Sequence, residues 1–409
     1  MVFPFGDGAK KALASISNWW TRILLSIDSF KIEVVFFEKV TKIKRAHKVI
    51  NYALAFGKNY FLGSLAEFFP KIVPRPLYVG LSVGTICNLR CQQCGLWRVP
   101  TTPTKYLTTK QVKMILIQLR QWLGPFRLTF TGAEPFLRKD LFRIISFAFE
   151  NDIETILTTN GCLIEHKIAW KIVNSGLAVL AVSLDGVKKE THDFLRGKKG
   201  VYQKVIKSLD LLTEARKTKK TPRIYLNTVI MENNLGELTS LVRLAKRKKI
   251  DGIRFEALES KYLFGNEEYS PVWFKKNPLW PGNENKTKKV FDKLIKMKKN
   301  GFPIKNSFVE LEDLGSYYKN PLEVVKKHKF CFAGVRNFTI DEYGRVKLCF
   351  GMEPVGDLLK QPAKEIWFGR KAEKQRQKIA GCQRYCRILP CNRREEFLEL
   401  AKILIKRLV

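Results

Sequence analysis

Residues 77–97 read LYVGLSVGTICNLRCQQCGLW. The first half is apolar and β-rich, as a buried strand demands. The second half sets Cys87, Cys91 and Cys94 in a C-x3-C-x2-C loop with no histidine beside them. A structural zinc site takes four protein ligands, and an ordinary cubane iron–sulfur cluster takes four thiolates. Three thiolates leave one iron open, where a small molecule can bind and be reduced. The zinc alternative needs a fourth ligand from afar, such as Cys162 or a histidine. His47, His166, His192 and His328 lack ligand-like spacing.

Outward from this loop, β-rich runs recur at 127–132, 154–161, 179–186, 223–230 and 252–258. Helical stretches at 108–122, 138–150, 165–175, 201–217 and 235–248 alternate with them. Six strands alternating with helices predict an α/β fold with a parallel sheet and right-handed crossovers. The nearly continuous apolar runs predict cover on both faces of that sheet. Polar residues gather where strands end, at Gly132-Ala133-Glu134, Asn160-Gly161, Ser183 and Asp185-Gly186. Parallel α/β folds bind ligands at that edge, and Cys87 follows the first strand there. Taken singly, the glycines suit tight turns, Asp185 a helix cap and Arg196 a solvated surface.

The chain has 409 residues, 45% of them apolar, with 74 Lys+Arg against 38 Asp+Glu. The resulting +36 charge favours anionic partners or simply solubility. No nucleic-acid-binding motif is present. No apolar run approaches the ~20 residues of a spanning helix. The start MVFPFGDGAKK has no charged leader followed by an apolar stretch. A reducing, cytoplasmic setting follows as the expectation, and there clustered cysteines point to metal or redox chemistry. Residues 1–75 carry helical spacing, as in Leu13, Ile16, Trp20, Ile23 and Ile27. Helices packed on the next domain explain that spacing; peripheral contact with the inner membrane face is the alternative. PKIVPRPL (70–77) breaks the pattern. A short amphipathic helix is expected over 395–409.

A second cysteine group holds Cys331, Cys349, Cys382, Cys386 and Cys391. A hairpin signal, DEYGRV, lies between the first two. Four of these thiolates would close another iron–sulfur cluster or a zinc site. Cys162 reads as a half-buried structural thiol.

CNLRCQQC resembles the signature of the radical S-adenosylmethionine (radical SAM) enzymes. TGAEP (131–135), TTNG (158–161) and SLDG (183–186) resemble the turns that follow in that family. The resemblance implies a partial (β/α)6 TIM-like barrel. It implies that Cys87, Cys91 and Cys94 hold a catalytic [4Fe–4S] cluster whose open iron binds S-adenosylmethionine. Reductive cleavage then yields a 5′-deoxyadenosyl radical that abstracts hydrogen from substrate. Gly132 and Glu134 would contact the cofactor, with Ala133 departing from the usual second glycine. Asn160, Ser183 and Asp185 would lie near it, and Arg196 would pair with its carboxylate. Asn227 is a further polar candidate. Gln93 stands where an aromatic or histidine often packs near adenine. The second cysteine group, with C-x12-G-x4-C, resembles the SPASM module or its shortened twitch form. That implies an auxiliary [4Fe–4S] cluster on Cys331, Cys349, Cys382 and Cys386, with Cys391 the least secure ligand. A flavodoxin- or ferredoxin-type protein would supply electrons.

The expected organisation is a helical extension over 1–76, a barrel over 77–310, a cysteine-rich α+β domain over 311–394 and the tail helix. The substrate classes in view are a peptide or protein and a lipid-related molecule. A non-enzymatic, metal-stabilised binding protein for an anionic partner is the alternative function.

Overall fold

The structure is a computed structural model and describes residues 57–388 and 392, with 70, 101, 218, 220 and 261–269 excepted. Most of the expected amino-terminal extension, the tail helix at 395–409 and Cys391 lie outside the described residues.

Six strands, β1 (Tyr78–Ser82), β2 (Phe126–Thr131), β3 (Ile153–Thr159), β4 (Val179–Ser183), β5 (Arg223–Val229) and β6 (Gly252–Glu256), pair in sequence order and all in parallel. Helices Thr109–Leu123, Leu141–Glu150, His166–Asn174, Val201–Arg216 and Leu238–Arg247 make the crossovers. The first starts on a capping box in which Thr108 and Gln111 satisfy each other's backbone amides. A short helix missing from the sequence reading, Lys189–Arg196, precedes Val201–Arg216.

The strands do not read as a sheet covered on both faces. Buried and half-buried residues alternate along β2, β3 and β5. Leu128, Phe130, Leu157, Ile224 and Leu226 are fully buried. On the other face Arg127 pairs with Glu154 at 2.9 Å, and the Lys305 ammonium lies over the Tyr225 ring, 5.0 Å from its centroid. A half-barrel keeps that second face open to a ligand, so it carries polar and charged side chains. Those charges sit between apolar neighbours in sequence and are hidden in a simple hydrophobicity reading.

The sheet continues beyond the barrel. Strand β7 (Asn337–Ile340) lies parallel to β1 on the side opposite β2. Strands β8 (Arg345–Lys347) and β9 (Gly356–Asp357) extend it in antiparallel fashion. The expected hairpin is thus β7–β8, with Gly344 at φ 92 closing the turn. Residues 310 and 311, the expected border between barrel and cysteine-rich domain, fall inside the helix Phe308–Lys319. The α/β partial barrel and the small cysteine-rich carboxy-terminal domain are both present.

Trp367 locks these parts together. It is fully buried, donates from Nε1 to the Pro74 carbonyl at 2.8 Å and packs against Phe338 of β7. Replacing it with alanine should cost about 3–5 kcal/mol. Trp367→Phe should cost less, chiefly the unmade bond to Pro74, about 1–3 kcal/mol. Chemical denaturation would rank the two; equal losses would show that the hydrogen bond, not the packing, dominates.

Candidate active site

The cysteine loop leaves β1 and is gripped from three sides. The turn after β2 holds its start: the Ala133 amide donates to the Gly84 carbonyl at 2.9 Å, and the Glu134 amide to Ile86 at 3.2 Å. Gly132 has φ +103, and a Cβ there would lie 2.3 Å from the Gly84 carbonyl oxygen. Only glycine fits so close an approach. The helix Lys189–Arg196 holds the end of the loop. The Gln92 amide donates to the Leu195 carbonyl at 2.9 Å, and Gly197, at φ +66, lies where a Cβ would be 2.2 Å from the Arg90 carbonyl oxygen. The end of β3 holds the middle through Asn160, whose Nδ2 donates to Asn88 Oδ1 at 2.8 Å and lies 4.0 Å from Cys87 Sγ.

Cys87, Cys91 and Cys94 are half-buried free thiols. Burial pushes the Cys87 and Cys91 thiols up; the Leu89 amide pulls the first back and the Arg196 guanidinium the second. Iron must therefore displace protons on binding. Arg196 places Nη1 3.9 Å from Cys91 Sγ and Nη2 2.7 Å from Asp185 Oδ2. Asp185 is completely buried. Its Oδ1 accepts from the Val229 amide at 3.0 Å, and Gln93 Nε2 donates to Oδ2, beside Arg196, at 3.4 Å. Burial pushes the Asp185 carboxyl up, against the pull of Arg196. Arg196 loses by its own burial but gains more from Asp185 and Cys91, and stays charged.

Arg196 and Asp185 thus meet each other directly, in one group with Gln93 and Cys91. Glu134 is engaged otherwise: its carboxylate accepts from the Phe136 amide, the Thr159 hydroxyl and the Asn160 amide at 3.2, 2.8 and 2.8 Å. The side chain ties the β2 turn to the β3 end, and burial pushes its pKa up. Ser183 and Asn227 face each other in the β4–β5 register, followed by Arg254 on β6. The Cys162 thiol is pushed up to about 11 by burial.

Three supporting residues escaped the sequence reading. Glu237 accepts from the Val187 amide, the Lys188 amide and the Thr191 hydroxyl at 2.7, 2.9 and 2.6 Å, which fixes the turn after Asp185. His192 Nδ1 accepts from the Asp185 amide at 3.0 Å, so its ring proton sits on Nε2. Burial, with Arg196 beside it, pushes its pKa down to about 2. Tyr106 accepts from the Thr85 amide at 3.2 Å at the loop's entry. No motif announces them, because each acts across 7 to 50 residues of sequence.

The site has unmet polar groups suited to a zwitterionic ligand. Arg196 Nε, a donor, and Gln93 Oε1, an acceptor, are buried without protein partners. Buried orphans of opposite kind next to three free thiols suit a group carrying both carboxylate and amine.

In the second cysteine group, burial pushes up the Cys331 and Cys349 thiols. Each lies close enough to Cys382 to feel its charge. Arg387 staples this region: it donates to the carbonyls of His328 at 2.6 Å, of Cys382 at 2.5 Å and of Lys329. Among the described residues no three His, Cys, Asp or Glu side chains converge on a point suited to a single metal ion. A cubane asks for something else, since each of its thiolates binds a different iron.

Known proteins share this architecture. The radical SAM superfamily model matches residues 81–245, and an iron-sulfur cluster-binding domain, SPASM, matches 331–392. The chain is 28% identical to the AdoMet-dependent heme synthase of Methanosarcina barkeri over 304 residues, 72% of this chain and 82% of that protein. It is 27% identical to the mycofactocin maturase MftC of Mycolicibacterium smegmatis over 45% of each chain. SuiB of Streptococcus suis, solved with its precursor peptide SuiA, shares the fold with a TM-score of 0.55 at 17% identity, over 76% of this chain and 69% of that one. Fold, cysteine loop and family match define a radical SAM enzyme. Within that class the chain belongs with those bearing a carboxy-terminal SPASM domain. Its cofactors are accordingly a [4Fe–4S] cluster, S-adenosylmethionine and auxiliary iron–sulfur chemistry. The non-enzymatic alternative and the zinc reading of the second cysteine group both give way to these matches. Among the described residues no helix is long and apolar enough to cross a membrane.

Gly132→Ala should abolish tight loop placement and lower iron incorporation at the first cluster severalfold, read by iron content and visible absorbance. Asp185→Asn leaves Arg196 buried without its counter-charge and should destabilise the fold by about 3 kcal/mol. Unchanged unfolding midpoints for Asp185→Asn would show that Arg196 finds compensation elsewhere.

Proposed function

We propose that Cys87, Cys91 and Cys94 hold the cluster that binds S-adenosylmethionine, and that Arg196, Gln93 and the backbone of the Gly132–Glu134 turn receive its polar end. When bound there, a reduced cluster would supply the one-electron chemistry for reductive cleavage of S-adenosylmethionine and so for radical chemistry on substrate. The chain's own residues position and shield that event. Arg196 is held by Asp185, and Asp185 by the Val229 amide, His192 and the turn that Glu237 fixes. Asn160 and Glu134 hold the other flank. Ser183 and Asn227 stand side by side near the ends of β4 and β5, on the same edge. The observation that carries this reading is the orphaned donor and acceptor of Arg196 and Gln93 beside Cys91.

Cys331, Cys349, Cys382 and Cys386 are the proposed ligands of the auxiliary cluster, with a flavodoxin- or ferredoxin-type protein as reductant. The substrate we infer is a carboxylate-bearing tetrapyrrole. Support comes from the similarity to heme synthase over 72% of the chain and from a net charge of +36. A peptide is the second reading, supported by the similarity to mycofactocin maturase. The lipid-related alternative rests on segments outside the described residues.

Anaerobically reconstituted Cys91→Ala should lose about half its iron, keeping the auxiliary cluster, and should form no 5′-deoxyadenosine. Full iron retention would refute the ligand assignment. In the wild type, a tetrapyrrole carboxylate should stimulate 5′-deoxyadenosine formation more than a peptide does; the reverse order would replace the substrate reading.

A further inference from the structure

An aromatic group stands between the two cysteine regions and takes no part in holding either. Trp273 and Phe274 lie on a short 3-10 turn, Trp273–Lys276. Their rings meet Trp280, with centroids 5.5 and 5.1 Å away. Phe274 also meets Tyr385, at 6.5 Å, and Tyr385 sits between Cys382 and Cys386. On its other side Trp280 packs on Tyr317 and Tyr318 at 5.2 and 4.9 Å. The Tyr318 hydroxyl donates to the Ile230 carbonyl at 2.6 Å, and the Tyr317 hydroxyl to Leu258 at 2.9 Å. Ile230 directly follows Val229, whose amide holds Asp185. The ring group therefore begins one residue from the Asp185–Arg196 anchor and ends within the auxiliary cysteine segment.

The loop bearing these rings is built rather than slack. Glu232 donates its amide to the Leu279 carbonyl at 2.8 Å. The Glu232 carboxylate accepts from the Gly282 amide at 3.1 Å and from Lys286 Nζ at 2.9 Å. Leu279 is buried beneath. Yet Trp273, Phe274, Trp280 and Tyr385 all remain half-exposed. Lys275 and Lys276 are exposed on the same turn and form no ion pair among the described residues. An interior aromatic cluster would be closed over. This one leaves ring area open at a strand-end edge, with free ammonium groups alongside. Flat conjugated rings stack on such surfaces, and carboxylates are drawn to unpaired ammonium groups.

The geometry points to a substrate-binding wall formed by Trp273, Phe274, Trp280 and Tyr385 with Lys275 and Lys276. It takes a planar, conjugated polycarboxylate, stacking the ring and meeting its carboxylates at the lysines. This inference rests on the tetrapyrrole reading above and adds the place where the ring is held.

The test uses iron-free mesoporphyrin, a planar dicarboxylate, titrated into reconstituted full-length enzyme and followed by its Soret absorbance. Phe274→Ala should weaken binding about tenfold. Lys275→Glu with Lys276→Glu should weaken it about tenfold and flatten its salt dependence. Trp170→Leu, at an aromatic 64% exposed on the helix His166–Asn174, should change nothing. Iron content and thermal unfolding confirm that each variant is folded and loaded. Wild-type binding with both wall variants unimpaired would overturn the wall and leave the tetrapyrrole reading standing. No saturable binding by the wild type would overturn both.

Discussion

A buried ion pair, Arg196 with Asp185 at 2.7 Å, organises the site. Two charges taken out of water are tolerable only when they meet each other and find further hydrogen bonds. Asp185 meets that condition with an amide from β5 and the Gln93 side chain. Arg196 meets it in part, with Asp185 and the Cys91 sulfur, and keeps one buried nitrogen unpaired. Because the pair joins the end of β4, the end of β5 and the helix Lys189–Arg196, three elements share one electrostatic anchor. The cysteine loop is then laid against that anchor through Gln92, Arg90 and Gly197.

Close backbone approach is the second constraint. At Gly132 and Gly197 two loops come nearer than any side chain allows. Ala133 sits between Gly132 and the Glu134 amide bond, where its methyl is tolerated because the demanding φ belongs to its neighbour. The departure from a double glycine in TGAEP therefore has a local physical reason.

Much of this was legible in the sequence. All six barrel strands and the crossover helices read for the barrel lie where periodicity put them, and the DEYGRV hairpin is β7–β8. The three-cysteine loop at a strand end was legible because local spacing alone encodes it. What stayed hidden depends on contacts distant in sequence. The polar face formed by Arg127, Glu154 and Tyr225 is not legible in these apolar runs, since their partners lie on neighbouring strands or at Lys305. Glu237 and His192 carry no motif, as each serves a backbone amide outside its own element, 50 and 7 residues away. Glu134 showed its position in the sequence but not that its carboxylate is spent on the β3 turn.

Strand β1 has neighbours on both sides, β2 and β7. The cysteine-rich module is therefore the seam that closes the barrel's first edge. Shortened before β7, the chain would present the backbone of Val79–Leu81 as an open row of donors and acceptors, a template for intermolecular strand addition. The module guards colloidal behaviour as well as chemistry. An isolated barrel of this protein would be expected to self-associate before it could be assayed.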